Sequence, residues 1–184
     1  MSQLNPDEFY KLQYVEEGKE NLEQRHKILL SLLDGIIGNI VLEIGCGRGV
    51  FARKVALKFN LKNIYGIDLS SEAINVACKN GIMGTALNID NNDFPFKDNF
   101  FDTIICGEVI EHLLNPDHLL KEIYRILKLN GYLVITTPNL ASWYNRLLLL
   151  LGYQPSFTDI SIKYANSNPF TTGPAGHLRL YTLH

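Results

Sequence analysis

Val41-Leu42-Glu43-Ile44-Gly45-Cys46-Gly47-Arg48-Gly49-Val50 decides how this 184-residue chain is read. An apolar run enters three glycines at alternate positions and leaves into a helical pattern that sets Phe51, Val55 and Phe59 four residues apart. Alternate glycines let the backbone take positive φ and let a ligand approach the main chain without meeting a Cβ atom. The helix that follows offers its first N–H groups to that ligand. A dinucleotide fingerprint needs glycine at position 50, where valine stands, and Glu43 at the strand end would set a like charge against a pyrophosphate. A cationic ligand suits that carboxylate better.

Working outward, strand and helix patterns alternate. Ile40 to Ile44 reads as a buried strand, and Ile64 to Ile67 as a second one ending in Asp68, 19 residues past Gly49. Nucleotide-type folds place a carboxylate there, against ribose hydroxyls. Ser70 or Ser71 caps a helix that turns Ala73, Ile74 and Ala77 inward and closes at Gly81. Thr85 to Ile89 is the expected third strand and Thr103 to Cys106 the fourth. Asn115-Pro116-Asp117 opens a helix with Leu119, Leu120, Ile123, Ile126 and Leu127 inward, Asn130-Gly131 ends it, and Tyr132 to Thr136 is the fifth strand. Such alternation implies parallel βαβ units with right-handed crossovers, so the expectation is a doubly wound α/β sheet. Ligands of such sheets sit at the carboxyl ends of the strands, where Glu43, Asp68, Asp90 and Glu108 all fall.

The flanks differ. Asn5-Pro6-Asp7-Glu8 starts a short helix, Gly18 interrupts it, and a second helix from about Lys19 brings Leu22, Ile28, Leu29, Leu32 and Leu33 to one side before Asp34-Gly35. Residues 1–38 are thus a helical cover, either over the ligand site or simply packed on the sheet, and 39–152 are the core. Trp143 to Leu151 reads as a helix apolar nearly all round. Residues 153–184 read as a lid or substrate segment, since Gly152 to Gly176 is rich in Pro, Asn, Ser, Thr and Gly with aromatics between them. Hydrophobic content of 46% suits one globular unit, and a net charge of −2 gives no basic field for nucleic acid. Cys46, Cys78 and Cys106 lack metal-finger spacing, which suits a reducing compartment. The polar start and the short aliphatic run Leu147 to Leu151 give no membrane span, so a cytoplasmic location is expected. His26, His118 and His184 read as surface residues.

The turn Glu43-x-Gly45-x-Gly47-x-Gly49 resembles the first motif of the class I S-adenosylmethionine-dependent methyltransferases, whose cofactor carries a sulfonium and an ammonium and no phosphate. The resemblance covers roughly Asn39 to Tyr181. It implies a Rossmann-like sheet of order 3-2-1-4-5-7-6, of which the last two strands, 6 and 7, are missing from the chain as given. It also implies a cofactor pocket made by Glu43, Gly45, Cys46, Gly47, Gly49, Asp68, Leu69, Asp90, Asn91 and Glu108, with Asp90 the match for the family's acceptor from the adenine amino group. A loop acid is equally a turn former.

Methyl transfer is an in-line displacement, helped for an alcohol or phenol by a base or a metal that lowers the pKa of the nucleophile. Glu108-Val109-Ile110-Glu111-His112 follows strand four, and on a helical turn its two acids and its histidine share one face. Those donors suit Mg²⁺, Mn²⁺ or Zn²⁺. The spacing resembles ubiquinone-biosynthesis O-methyltransferases and small-RNA 3′-terminal 2′-O-methyltransferases. In the latter a distant histidine completes a metal site, and His177 looks equivalent. Three readings stand at this point: a metal held by Glu108, Glu111, His112 and His177; catalysis by His112 as base with Glu111; and a packing role. The expected activity is O-methylation of a small-molecule, lipid-linked or saccharide hydroxyl. Its alternatives are a non-catalytic cofactor-binding module or truncated methyltransferase domain, and, against Glu43 and Val50, an NAD-dependent oxidoreductase. With strand five left as a sheet edge, association through that edge is also expected.

Overall fold

The computed structural model describes residues 19–158 and 176–183, with side chains from Gln24 onward. In chain order the elements are α1 (Lys19–Leu32), β1 (Ile40–Ile44), α2 (Val50–Lys58), β2 (Asn63–Asp68), α3 (Ser71–Lys79), β3 (Met83–Ala86), β4 (Phe101–Gly107), a 3₁₀ turn (Ile110–His112), α4 (Pro116–Ile126), β5 (Leu127–Thr136) and α5 (Trp143–Leu150). The strands form one sheet of order β3-β2-β1-β4-β5, parallel throughout. This is the Rossmann-like architecture expected. The chain leaves β1 in one direction to β2 and returns on its other side to β4, which opens a crevice above the carboxyl end of β1.

Period-two alternation divides β1 between two cores. Leu42 and Ile44 join Ile67, Phe101, Ile104 and Cys106 against Leu119, Ile123 and Ile126 of α4. Val41 joins Ile64, Ile105 and Val134 against Leu29 of α1, Leu33 just past its end, and Phe51, Ala52 and Val55 of α2. Glu43 shares the parity of Val41, so its carboxylate faces the α1–α2 layer. Helix starts follow the capping residues: the Ser70 hydroxyl accepts from Ala73 N at 3.2 Å, and Asn115 Oδ1 accepts from His118 N at 3.2 Å.

Several local expectations are corrected. β3 lies earlier than Thr85 to Ile89, because its register on β2 runs from Tyr65–Met83 to Asp68–Ala86 and ends there. The helix before β5 stops at Ile126 rather than at Asn130-Gly131. Asn130 instead takes φ 68° inside β5, next to a register shift opposite Phe101 and Thr103. Leu120 stays exposed, and Leu127 is already strand. Along α1 and the turn that follows it the buried stripe is His26, Leu29 and Leu33, which leaves Ile28 and Leu32 in water. His26 is therefore not a surface residue: its ring lies 4.7 Å from that of Phe51, and its Nδ1 is 3.3 Å from Lys54 Nζ. The helix expected after Asn5, and His184, lie outside the described residues.

Candidate functional site

At the carboxyl end of β1 the glycine turn is tied down by its neighbours. The N–H groups of Gly45 and Cys46 both donate to the Ile67 carbonyl, at 2.8 and 3.0 Å, and Gly49 N donates to Cys46 O at 2.8 Å. Gly47 N donates to Asp68 Oδ2 at 2.8 Å, while Asp68 Oδ1 accepts from Ser70 N at 2.9 Å. Gly45, Gly47 and Gly49 take φ of 74°, 50° and 73°. Two of them are glycine for internal reasons. A Cβ on Gly45 would overlap Val109 Cγ2, and one on Gly49 would lie 2.7 Å from Ile82 Cγ1. The open approach that alternate glycines suggested is thus taken at Gly45 by the Val109 side chain.

Glu43 is buried, and burial pushes its carboxyl up to about 8, with a pull downward from the Ala52 N–H and a push upward from Asp68. Its Oε2 has no hydrogen-bond partner. The carboxyl therefore occupies the start of α2, where a phosphate would otherwise bind the helix N–H groups. A pyrophosphate has no place there. A buried carboxyl with an unsatisfied oxygen beside the crevice is, by contrast, suited to an ammonium.

Leu69 is half-buried after Asp68. Asp90 stands four residues beyond β3, with Oδ1 accepting from Asn115 N at 2.9 Å at the start of α4 and its own N–H donating to Asn88 Oδ1 at 3.0 Å. These bonds tie Asp90 to its own turn and to the start of α4. Asn91 beside it is exposed.

The second group lies past β4. Glu108 takes φ 56°, its N–H donates to Thr136 O at 2.9 Å, and the helical geometry begins only at Ile110. Positions 108, 111 and 112 therefore do not share the face that a continuous helix would give them. The structure brings together Glu111, His112 and His177, whose ligand atoms all lie within 4.8 Å of one another. Glu108 stands apart from that trio, with Oε2 3.7 Å from Arg25 Nη1 of α1. Glu111 is almost fully buried, and burial pushes its carboxyl up to about 7, with its own N–H and the Thr137 hydroxyl pulling it down and Glu108 pushing it up. Neither carboxyl oxygen nor the Thr137 hydroxyl reaches water.

Residues 176–183 form a strap that delivers His177. Leu178 N and Arg179 N both donate to the Glu111 carbonyl, at 2.8 and 3.0 Å, and Leu140 N donates to Tyr181 O at 2.9 Å. Tyr181 also forms a parallel bridge with Asn139, so the strap runs from the turn after β4 to the segment after β5. His112 Nδ1 lies 3.1 Å from Gly176 O, and His177 Nδ1 lies 3.1 Å from Phe157 O. A neutral imidazole in such a contact donates from Nδ1 and carries its lone pair on Nε2, the arrangement of a metal-binding or basic histidine. The two rings are 4.9 Å apart.

Sequence reasoning missed Arg25, Val109, Thr137 and Tyr181. Only the docking of α1 brings Arg25 to Glu108, and only the strap brings Tyr181 beside the Glu111 turn. No spacing in the chain announces either contact.

These features can be set beside known proteins. The profile of a family described as a methyltransferase domain matches residues 42–135, just over half of the chain. The mitochondrial ubiquinone biosynthesis O-methyltransferase of Saccharomyces cerevisiae is 30% identical over 157 residues, covering 78% of this chain and 50% of that one. This chain spans about half the length of the curated relatives it matches. A solved S-adenosylmethionine-dependent methyltransferase of Aquifex aeolicus superposes with a TM-score of 0.56 at 26% identity, over 74% of each chain. Phosphoethanolamine N-methyltransferase 2 of Haemonchus contortus, in complex with S-adenosyl-L-methionine, gives a TM-score of 0.54 at 27% identity over 70% of this chain and 32% of that one. The parallel five-stranded sheet, the acid-led glycine turn above it and the family match lead to one assignment: the chain belongs to the class I S-adenosylmethionine-dependent methyltransferases.

Proposed function

We propose that the chain is an S-adenosylmethionine-dependent O-methyltransferase, acting on a hydroxyl of a small-molecule, lipid-linked or saccharide acceptor, with Glu111, His112 and His177 holding a divalent ion at the acceptor side. The observation that carries this reading is the trio itself: one buried carboxylate shut off from water and two imidazoles with their Nδ1 atoms on carbonyls, each offering a ligand atom within 4.8 Å of the others. One oxygen and two nitrogen donors fit Zn²⁺ or Mn²⁺, and Mg²⁺ less well. A bound ion would supply Lewis acidity, lowering the pKa of the acceptor hydroxyl.

The cofactor fits the chain's own groups. Glu43, buried with an unsatisfied oxygen, pairs with the ammonium, and Asp68 at the end of β2 takes the ribose hydroxyls while holding the Gly47 N–H. Gly45, Cys46, Gly47 and Gly49 line the turn, Leu69, Asp90 and Asn91 border the adenine side, and Glu108 with Arg25 closes the opposite end, where the guanidinium suits the carboxylate of the cofactor. Glu111 and His112 then face the position at which a proton leaves the acceptor. Catalysis rests on alignment and exclusion of water, with proton removal assisted at that point.

Turnover of a panel of phenolic and aliphatic hydroxyl acceptors tests the activity, with and without a chelator. Loss of turnover on chelation and its return with Mn²⁺ or Zn²⁺ is the expected result. Chelator-resistant turnover that His112→Ala abolishes would replace the ion by His112 as general base. Cofactor binding with no turnover on any acceptor would leave a binding module.

A further inference from the structure

Between β3 and β4 the chain passes along α4, and one face of that helix holds it at every second residue. Asp90 Oδ1 accepts from Asn115 N at 2.9 Å, His118 Nε2 lies 3.1 Å from Asn92 O, and Glu122 Oε2 accepts from Phe94 N at 2.7 Å. Arg125 donates from Nη2 to Phe94 O at 2.9 Å and from Nη1 to Phe96 O and Asp98 Oδ1, both at 2.8 Å. Positions 115, 118, 122 and 125 have the spacing of one helix face. On the segment the held residues are Asp90, Asn92, Phe94, Phe96 and Asp98, whereas Asn91, Asp93, Pro95 and Lys97 between them are exposed.

Glu122 and Arg125 are the centre of this fastening. They bind each other twice, Nε to Oε1 at 3.0 Å and Nη2 to Oε2 at 2.6 Å, and Glu122 is buried. The guanidinium beside it holds the Glu122 carboxyl below the usual range, so the pair is charged throughout the neutral range. Together the two side chains take both main-chain polar groups of Phe94, its N–H and its carbonyl, as a neighbouring strand would. Charge-assisted bonds of this kind are stronger than neutral ones, and a fork across two carbonyls fixes direction as well as distance.

Asp90 and Asn91 stand at the head of the held segment. Asn115 already engages Asp90 Oδ1, so Oδ2 is the oxygen left for a ligand donor. A polar group rejects a ligand that lacks its partner only if it is held and cannot move away from the mismatch. We propose that Glu122 and Arg125 are positioning residues of the cofactor site: by fixing the main chain at Phe94 and Phe96 they hold Asp90 and Asn91 in place, and so set the preference for the 6-amino group of adenine. Their role presupposes the proposed cofactor pose, in which adenine lies against Asp90 and Asn91. Neither side chain touches the cofactor itself.

Calorimetry on the full chain compares S-adenosylhomocysteine with S-inosylhomocysteine, in which a 6-oxo group replaces the amino group. The parent is expected to bind the adenine form at least about tenfold more tightly. In Arg125→Met that preference should fall below about threefold, and Arg125→Lys should recover part of it. Asp102→Ala is the control for general loosening, since it cuts the ties to Ile40 N and Lys128 at the amino end of β4 and should leave the preference intact. Melting curves show which variants fold, and if Arg125→Met does not, Glu122→Gln carries the same test. A folded variant of the pair that keeps the parent's preference overturns the proposal and leaves the cofactor pose standing. An equal fall in Asp102→Ala also overturns it, making the pair one structural tie among others. A parent that binds both forms alike removes the adenine contact at Asp90 and the proposal with it, and a parent that binds neither removes the cofactor assignment as well.

Discussion

The glycine turn and the Glu111 turn sit at the carboxyl ends of adjacent strands, yet they are built in different ways. In the first, four N–H groups between Gly45 and Gly49 end on partners within 22 residues, and Asp68 is already hydrogen-bonded. In the second, the Glu111 carboxylate is shut off from water beside the Thr137 hydroxyl, and His177 comes from a strap 66 residues away. A preformed pocket needs only a ligand. A pocket assembled from distant segments is complete only when those segments dock, and the difference should appear in stability, pH dependence and ligand linkage.

The largest effect is expected from the one group of the first site that is not satisfied. The Glu43 carboxyl is raised from 4.5 to about 8, so between those values the folded chain holds a proton that the unfolded chain has lost, and stability must fall as pH rises through the window. Converted at 1.36 kcal/mol per pKa unit, this is on the order of 5 kcal/mol. Glu43→Gln should flatten the slope of urea-derived stability between pH 5 and 8 and be the more stable protein at pH 8. The same variant should bind S-adenosylmethionine at least tenfold more weakly, and cofactor binding to the parent near pH 7 should release protons in calorimetry buffers of different ionisation enthalpy. A slope shared by both proteins would place the titration elsewhere.

Gly49→Ala comes next. Its φ of 73° and a Cβ placed 2.7 Å from Ile82 Cγ1 and 3.1 Å from Ala77 Cβ predict a loss of about 3 kcal/mol, from left-handed strain and overpacking together. Gly45→Ala should be partly rescued by Val109→Ala, which removes the overlapping methyl groups. Without rescue, the internal reason for that glycine fails.

Asp68→Ala should cost about 2 kcal/mol of cofactor affinity, within the range for hydrogen bonds to a charged group. Unchanged affinity would leave Asp68 as a clamp on Gly47 and Ser70 alone. The smallest change in stability, below about 1 kcal/mol, is expected for His177→Ala, because its ring is half-exposed and its loss uncovers little buried surface. Its effect should instead be on Zn²⁺ or Mn²⁺, with affinity falling 10-fold or more by competition with a metal dye. An unfolded His177→Ala protein would show that the strap is structural rather than assembled.

How much of this was legible differs along the chain. β1, β2, β4 and the cap at Ser70 announce themselves through runs of branched apolar residues and a hydrogen-bonding side chain, which act within a few residues. The end of α4 was misread because Leu127 continues a helical spacing, while backbone pairing to Phe101 claims it for β5. His26 was misread because a polar residue on an amphipathic helix ordinarily faces water, and only the approach of Phe51 and Lys54 makes its burial tolerable.

The sequence by itself determined the parallel α/β sheet and the acid-led turn, because strand alternation, positive-φ glycines and a carboxylate beside a helix start are properties of neighbouring residues. It also set Glu111 and His112 side by side, while His177 was pointed to only by the resemblance to small-RNA methyltransferases. Only the tertiary structure decided that Glu108 leaves that group for Arg25, that Val109 rather than a ligand fills the space over Gly45, and that the strap brings His177 to Glu111. Those contacts span distances along the chain over which no periodicity persists, and they are set by which faces of α1 and of the strap find a complementary surface.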